Sequence, residues 1–92
     1  MADSKVTMWN SAGIRASTAT TPAKIAFFDK ENPQADYTIA AFVETHHRDK
    51  NDFPDYIKLR AQNFHIVHSP APTTHRHSGI IILIRKEGTL SK

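Results

Sequence analysis

Ninety-two residues, no cysteine and a formal net charge of +3 bound what this chain can be. The length allows one domain at most, and a chain this short buries only about 60–65% of its unfolded surface. Disulfides and thiolate metal sites are excluded, no stretch approaches the roughly 20 apolar residues of a membrane span, and a pI near 9.5 is compatible with a polyanionic partner without arguing for one. The N-terminal MADSKVTMWN lacks a basic-then-apolar leader pattern, so an intracellular chain, nuclear or cytoplasmic, is the expectation.

After a frayed start at Met1–Ser4, Lys5 to Asn10 is rich in β-formers and predicts a first strand, broken by Ser11-Ala12-Gly13. Asn10 therefore falls at a strand end. Its side chain either closes an Asx-turn or aims an amide at a ligand. Thr21-Pro22 reads as a helix start, with Thr21 as N-cap and Pro22 at the first position, where its missing N–H costs nothing. Residues 22–32 then predict a helix. Ile25 with Phe28, and Ala23 with Phe27, give it a broad apolar face, and Lys24, Asp29, Lys30 and Glu31 cover the solvated side. Asn32-Pro33 ends it, because a residue before proline is pushed out of the helical region. Gln34-Ala35-Asp36 is the turn into the next strand.

Thr38-Ile39-Ala40-Ala41-Phe42-Val43 has the length and unbroken apolarity of a buried strand, and it ends abruptly in Glu44. A carboxylate in that position either marks where the chain reaches water or meets a metal or substrate in the crevice above a sheet. The charged loop Thr45 to Asp52 follows. Asp52 is a plausible N-cap for a short helix from Phe53 to about Gln62, with Pro54 near its first turn and Phe53, Ile57 and Ala61 on one face. Asn63 to His68 reads as a strand, Ser69 to Ser78 as a turn region with two prolines, and Gly79 to Lys86 as the strongest strand signal in the chain, followed by Gly88. The expected fold is thus an α/β chain with a mixed sheet in the order β-α-β-α-β-β. The first pair of strands should be parallel, joined by a right-handed crossover, and the last pair antiparallel.

The core is unbalanced. Neither Ile80 to Ile84 nor Ile39 to Val43 has a polar alternate position, so both strands want cover on two faces, and two short helices cover one at most. An uncovered IIILI strand is an aggregation hazard. The chain is therefore expected either to be part of a larger sandwich, or to self-associate or dock a partner chain through its sheet.

Six histidines invite a metal reading through His46-His47, His65-x-x-His68 and His75-x-His77. Without cysteine, three or four of these, or carboxylates, would have to converge. Residues 65 and 68 of a strand point to opposite faces, so a dedicated histidine site is not expected. Arg76, among the loop histidines, and Arg48 could touch nucleic-acid phosphates, although an exposed polar loop explains them as well. Trp9 and the three phenylalanines Phe27, Phe28 and Phe42 are expected in the core.

Three stretches, in this order and spacing, carry a resemblance: Trp9-Asn10-Ser11-Ala12-Gly13-Ile14, Glu44-Thr45-His46, and Ser78-Gly79-Ile80-Ile81-Ile82-Leu83-Ile84. Together they resemble the N-terminal part of the endonuclease/exonuclease/phosphatase superfamily, and within it the apurinic-type endonuclease domain of non-LTR (LINE-like) retrotransposons, over roughly residues 5–87. The resemblance implies a four-layer α/β sandwich with two packed sheets. It also implies a site at the strand ends that hydrolyses DNA phosphodiesters with a divalent metal, usually Mg²⁺. Glu44 matches the metal-ligating glutamate. Asn10 matches the asparagine that helps position the metal-site acid and the phosphate, and His46, two residues after Glu44, is a candidate substrate contact. The chain departs from the pattern at Val43, where the family has Gln, and at Ser78, where it has Gly. The family's later motifs, a tyrosine, an Asp-x-Asn pair and a terminal Asp-His pair, do not follow residues 78–84, so residues 1–92 read as a partial domain. The function this implies is that of a fragment of a Mg²⁺-dependent DNA endonuclease, inactive alone. The alternative is a small basic module that binds nucleic acid or protein without catalysis.

Overall fold

Alternating β-formers pair into a sheet wherever one face of each strand can be buried. In the computed structural model, which describes residues 5–86, those strands are β1 (Val6–Asn10), β2 (Ile39–Val43), β3 (Phe64–Ser69) and β4 (Ile80–Arg85). They form one mixed sheet in the order β1-β2-β4-β3. β1 runs parallel to β2, with Asn10 opposite Val43. β4 is antiparallel to both of its neighbours, β2 and β3. The chain is therefore α/β with a mixed sheet, and its most apolar strand lies inside rather than at an edge. That position pairs the backbone groups of Ile80 to Ile84 on both sides, which removes the edge-to-edge hazard of the run. Met1–Ser4 and Gly88 lie outside the described residues.

Helix α1 (Thr21–Glu31) crosses between β1 and β2, and α2 (Asp55–Arg60) precedes β3. Both pack on the same face of the sheet. Phe28 of α1 is buried, 5.1 Å from Trp9 and 4.8 Å from Phe42 between ring centroids. Ile57 of α2 joins Ala40, Phe42, Phe64, Ile81 and Leu83 in the same core. Each fully buried Phe or Leu there contributes roughly 1.5–3 kcal/mol. Tyr37 and Tyr56 share a hydrogen bond of 2.8 Å, so neither hydroxyl is orphaned. Burial raises the pKa of both.

Both helices differ from the sequence expectation. The N-cap of α1 is Thr20, not Thr21, and Pro22 follows the first helical residue. Thr21 is buried, and its hydroxyl donates to the Arg15 carbonyl at 2.7 Å instead of capping. The apolar face is also narrower. Ile25 and Phe28 are buried, but Ala23 is exposed and Phe27 is 61% exposed, because one sheet face accepts only a single stripe of an 11-residue helix. α2 is shorter than Phe53 to Gln62, with Pro54 as its N-cap. Asp52 is engaged elsewhere. Its carboxylate accepts from the Arg48 N–H at 2.8 Å and pairs with Arg15 at 3.2 Å, closing a short 3₁₀ turn at Lys50–Asp52. Ala61 is exposed rather than on the buried face.

Among the described residues no helix lies on the other face of the sheet. Along the register, Val6, Ile39 and Ile84 form one row and Met8, Ala41, Ile82 and Val67 the next. Met8 is 71% exposed and Val6 64%. Among the described residues no helix is long and apolar enough to cross a membrane.

Candidate functional site

β1 and β2 are parallel and in register, so their C-terminal ends deliver Asn10 and Glu44 to the same rim. The Asn10 Nδ2 donates to Glu44 Oε2 at 2.7 Å. The Asn10 Oδ1 meanwhile accepts from the Ala12 N–H at 3.1 Å. The turn reading of Asn10 is realised, and its amide group meets the Glu44 carboxylate. The Asx-turn fixes the amide, and the fixed amide orients the carboxylate. Both side chains are exposed.

The backbone beneath them is unusual. Ala12, Glu44 and His46 all have positive φ, at 51°, 53° and 65°. Left-handed conformations of residues other than glycine are held only where surrounding contacts over-determine them, and they concentrate at functional sites. The contacts here are plain. Past the strand ends the Ser11, Gly13 and Ile14 N–H groups still bond to the carbonyls of Val43, Glu44 and Thr45 at 3.0, 2.8 and 3.0 Å. The Thr45 and His46 N–H groups bond to the Gly79 and Ser78 carbonyls at 3.1 and 2.8 Å. Two glycines make this crossing possible. Gly13 has φ +97°, and a Cβ there would lie 2.6 Å from His46 Nδ1. Gly79 has φ +105°, and a Cβ there would meet Thr45 Oγ1 at 2.6 Å. Lys24, expected on the solvated side of α1, instead donates through Nζ to the Ala12 and Gly13 carbonyls at 2.7 and 3.0 Å.

His46 lies half-buried on this rim with its ring 4.9 Å from that of His77. Burial, then the neighbouring His77, hold its pKa below the ordinary 6.5 against the pull of Glu44, so it is neutral at pH 7. The β3–β4 loop walls the rim. A cavity of about 900 Å³ is lined by Glu44 and residues 73–78. A second, of about 560 Å³, shares Thr73, Arg76 and His77 with it and adds Arg15, His46 and Arg48.

As a metal ligand Glu44 is an accessible hard oxygen donor. Among the described residues no group of three or more His, Cys, Asp or Glu side chains converges. This donor set does not suit a closed zinc site. It suits Mg²⁺, which commonly takes one or two carboxylates and completes its shell with water and substrate phosphate oxygens.

One cluster was not legible in the sequence. His47 is buried, and its Nδ1 lies 2.5 Å from the buried Thr45 hydroxyl while its Nε2 lies 3.0 Å from His68 Nδ1. Spacing pairs His68 with His65, which the strand sends to the opposite face. Its partner is 21 residues away, a proximity made only by the fold. No family model, no curated protein and no solved structure matches the chain.

Proposed function

We propose that this chain is the N-terminal part of a Mg²⁺-dependent DNA endonuclease domain of the endonuclease/exonuclease/phosphatase type, and that alone it does not turn over. The observation that carries this reading is the 2.7 Å bond from Asn10 to Glu44 across the ends of two parallel strands. It supplies an oriented, accessible carboxylate beside a loop rich in phosphate-binding side chains. Glu44 is the residue that would hold the metal, and Asn10 the group that positions the acid and meets the phosphate. Bound there, Mg²⁺ would stabilise charge on the phosphate and its leaving oxygen. His46, neutral at pH 7, is placed to touch substrate rather than to neutralise it. The apolar open face of the sheet supports the four-layer arrangement, in which a second sheet lies against it.

Turnover needs more than this pair. General acid–base assistance alone contributes about 10²–10⁴-fold, and the later motifs that supply the base and orienting groups in the family this chain resembles do not follow Ile84. The test is a plasmid-nicking assay with Mg²⁺, run beside Glu44→Ala. The expected result is weak Mg²⁺ binding by calorimetry that the substitution abolishes, with no nicking by either protein. Clear nicking that Glu44→Ala removes would refute the inactive fragment, and Mg²⁺ binding indifferent to Glu44→Ala would refute the site.

A further inference from the structure

The five arginines of this chain are not equivalent. Arg15 is ion-paired to Asp52. Arg60 lies over the Tyr56 ring at 4.5 Å, and Arg85 lies over Phe64 at 4.7 Å while donating to the Gln34 and Tyr37 carbonyls. Among the described residues the guanidinium groups of Arg48 and Arg76 make no hydrogen bond or ion pair; the acid near Arg48, Asp52, is taken by Arg15 and by the Arg48 main-chain N–H. Arg48 and Arg76 line the same 560 Å³ cavity, with Arg15, His46, Thr73 and His77. Among the described residues no acidic side chain lines it. Arg15 is already compensated by Asp52, which leaves Arg48 and Arg76 as the arginines of this lining with no carboxylate partner among the described residues, and an anion there would satisfy planar donor forks that match phosphate oxygens.

We propose that this cavity binds a backbone phosphate of DNA, without a metal, next to the phosphate faced by Glu44. The proposal rests on Glu44 facing a polynucleotide, but not on metal binding or cleavage. Three observations favour a polymer over a single free phosphate. The cavity is far larger than one phosphate group. It adjoins the Glu44 cavity, with which it shares Thr73, Arg76 and His77. And the trough so formed puts a carboxylate suited to a metal-bridged phosphate beside guanidinium groups suited to a direct one, which is the demand of phosphates in series along a strand. The walls come from the loops after β1 and β2 and from the β3–β4 loop, so the site exists only when all three are assembled.

The test is fluorescence anisotropy of the full chain with a labelled duplex oligonucleotide in EDTA over a range of salt. Two to three phosphate contacts give a slope of log K against log salt of about −2 to −3. Arg48→Gln and Arg76→Gln should each reduce that slope by about one. The surface control Lys58→Gln, which removes the same charge from α2, should change it little. Arg48→Lys, which keeps the charge and loses the fork, should keep the wild-type slope and bind more weakly, and guards against a folding defect in Arg48→Gln. Three results overturn the proposal: no binding at low salt, equal effects of Lys58→Gln and the arginine substitutions, or a preference for vesicles of anionic phospholipid over the oligonucleotide. The metal reading is decided separately, by Glu44→Ala in Mg²⁺. Failure there with these salt slopes intact sinks only that reading.

Discussion

The two faces of the sheet are built from the same four strands and nearly the same residue types, yet they live in different solvents. On the helix face Phe42 and Leu83 are fully buried. On the open face Met8 is 71% and Val67 52% exposed, although their neighbours in the row, Ala41 and Ile82, are also apolar. A solvated face of an antiparallel or mixed sheet normally alternates to polar residues. This one is polar at Asn10, His65 and Ser69 but apolar at Val6, Met8, Ile39, Ala41, Ile82, Ile84 and Val67, so the open face is composed like an interface and the helix face like a core. Composition alone does not separate them. What separates them is that α1 and α2 supply a single layer of aromatic cover.

The comparison can be broken most forcefully at the core. Phe42→Ala should cost about 3–5 kcal/mol, a large share of a small domain's stability. Urea denaturation followed by circular dichroism should find the variant largely unfolded in buffer. On the open face, Met8→Lys combined with Val67→Lys should leave the urea midpoint nearly unchanged and reduce self-association measured by light scattering. A loss of stability comparable with that of Phe42→Ala would mean the open face is already covered.

Smaller effects sharpen the link from the sheet to the rim. Gly79→Ala should destabilise by at least about 1 kcal/mol, since φ +105° is unfavourable for alanine and the new methyl meets Thr45 Oγ1. The same protein should lose whatever affinity for oligonucleotide the wild type has, because His46 hangs on the Ser78 carbonyl.

The smallest expected effect is on pH. His47 is buried beside Thr45, Phe53 and His68, and burial, then the charge of His68, depress its pKa below the ordinary 6.5, against Asp52 and Asp49. A depressed histidine is protonated more readily in the unfolded chain than in the folded one. Stability is therefore complete above pH 6.5 and declines as the pH falls from there towards the folded value. Asp52 adds a second, more acidic loss. Burial opposes its charge, but the Arg48 N–H and the Arg15 ion pair outweigh it, so its pKa lies below 3.8 and its contribution disappears as the pH falls through that lower value. Thermal melts from pH 7 to 5 should show a falling midpoint that His47→Phe flattens; an unchanged slope in that variant would assign the acid sensitivity elsewhere.

Much of this was legible from residue order. The strands at Val6, Ile39, Phe64 and Ile80 follow from β-branched and aromatic runs bounded by Gly, Pro and Asn, and both chemically interesting side chains of the rim, Asn10 and Glu44, were placed at strand ends by where those runs stop. The helix caps were misplaced, because Thr21 and Asp52 found tertiary partners that local preference does not weigh. Lys24 was read as solvent-facing for the same reason, its carbonyl partners lying 11 and 12 residues back in a loop whose path is set by Gly13.

The sequence by itself determined which segments are extended, which are helical, and that the chain carries more apolar strand surface than its helices can hide, because these depend on neighbours a few residues apart. Only the tertiary structure decided that the isoleucine strand sits between β2 and β3, that the Asn10 amide holds the Glu44 carboxylate, and that Arg15, Arg48 and Arg76 face one cavity. Those facts depend on backbone pairings and left-handed turns that join residues tens of positions apart, and no local pattern encodes which of several apolar strands will be neighbours.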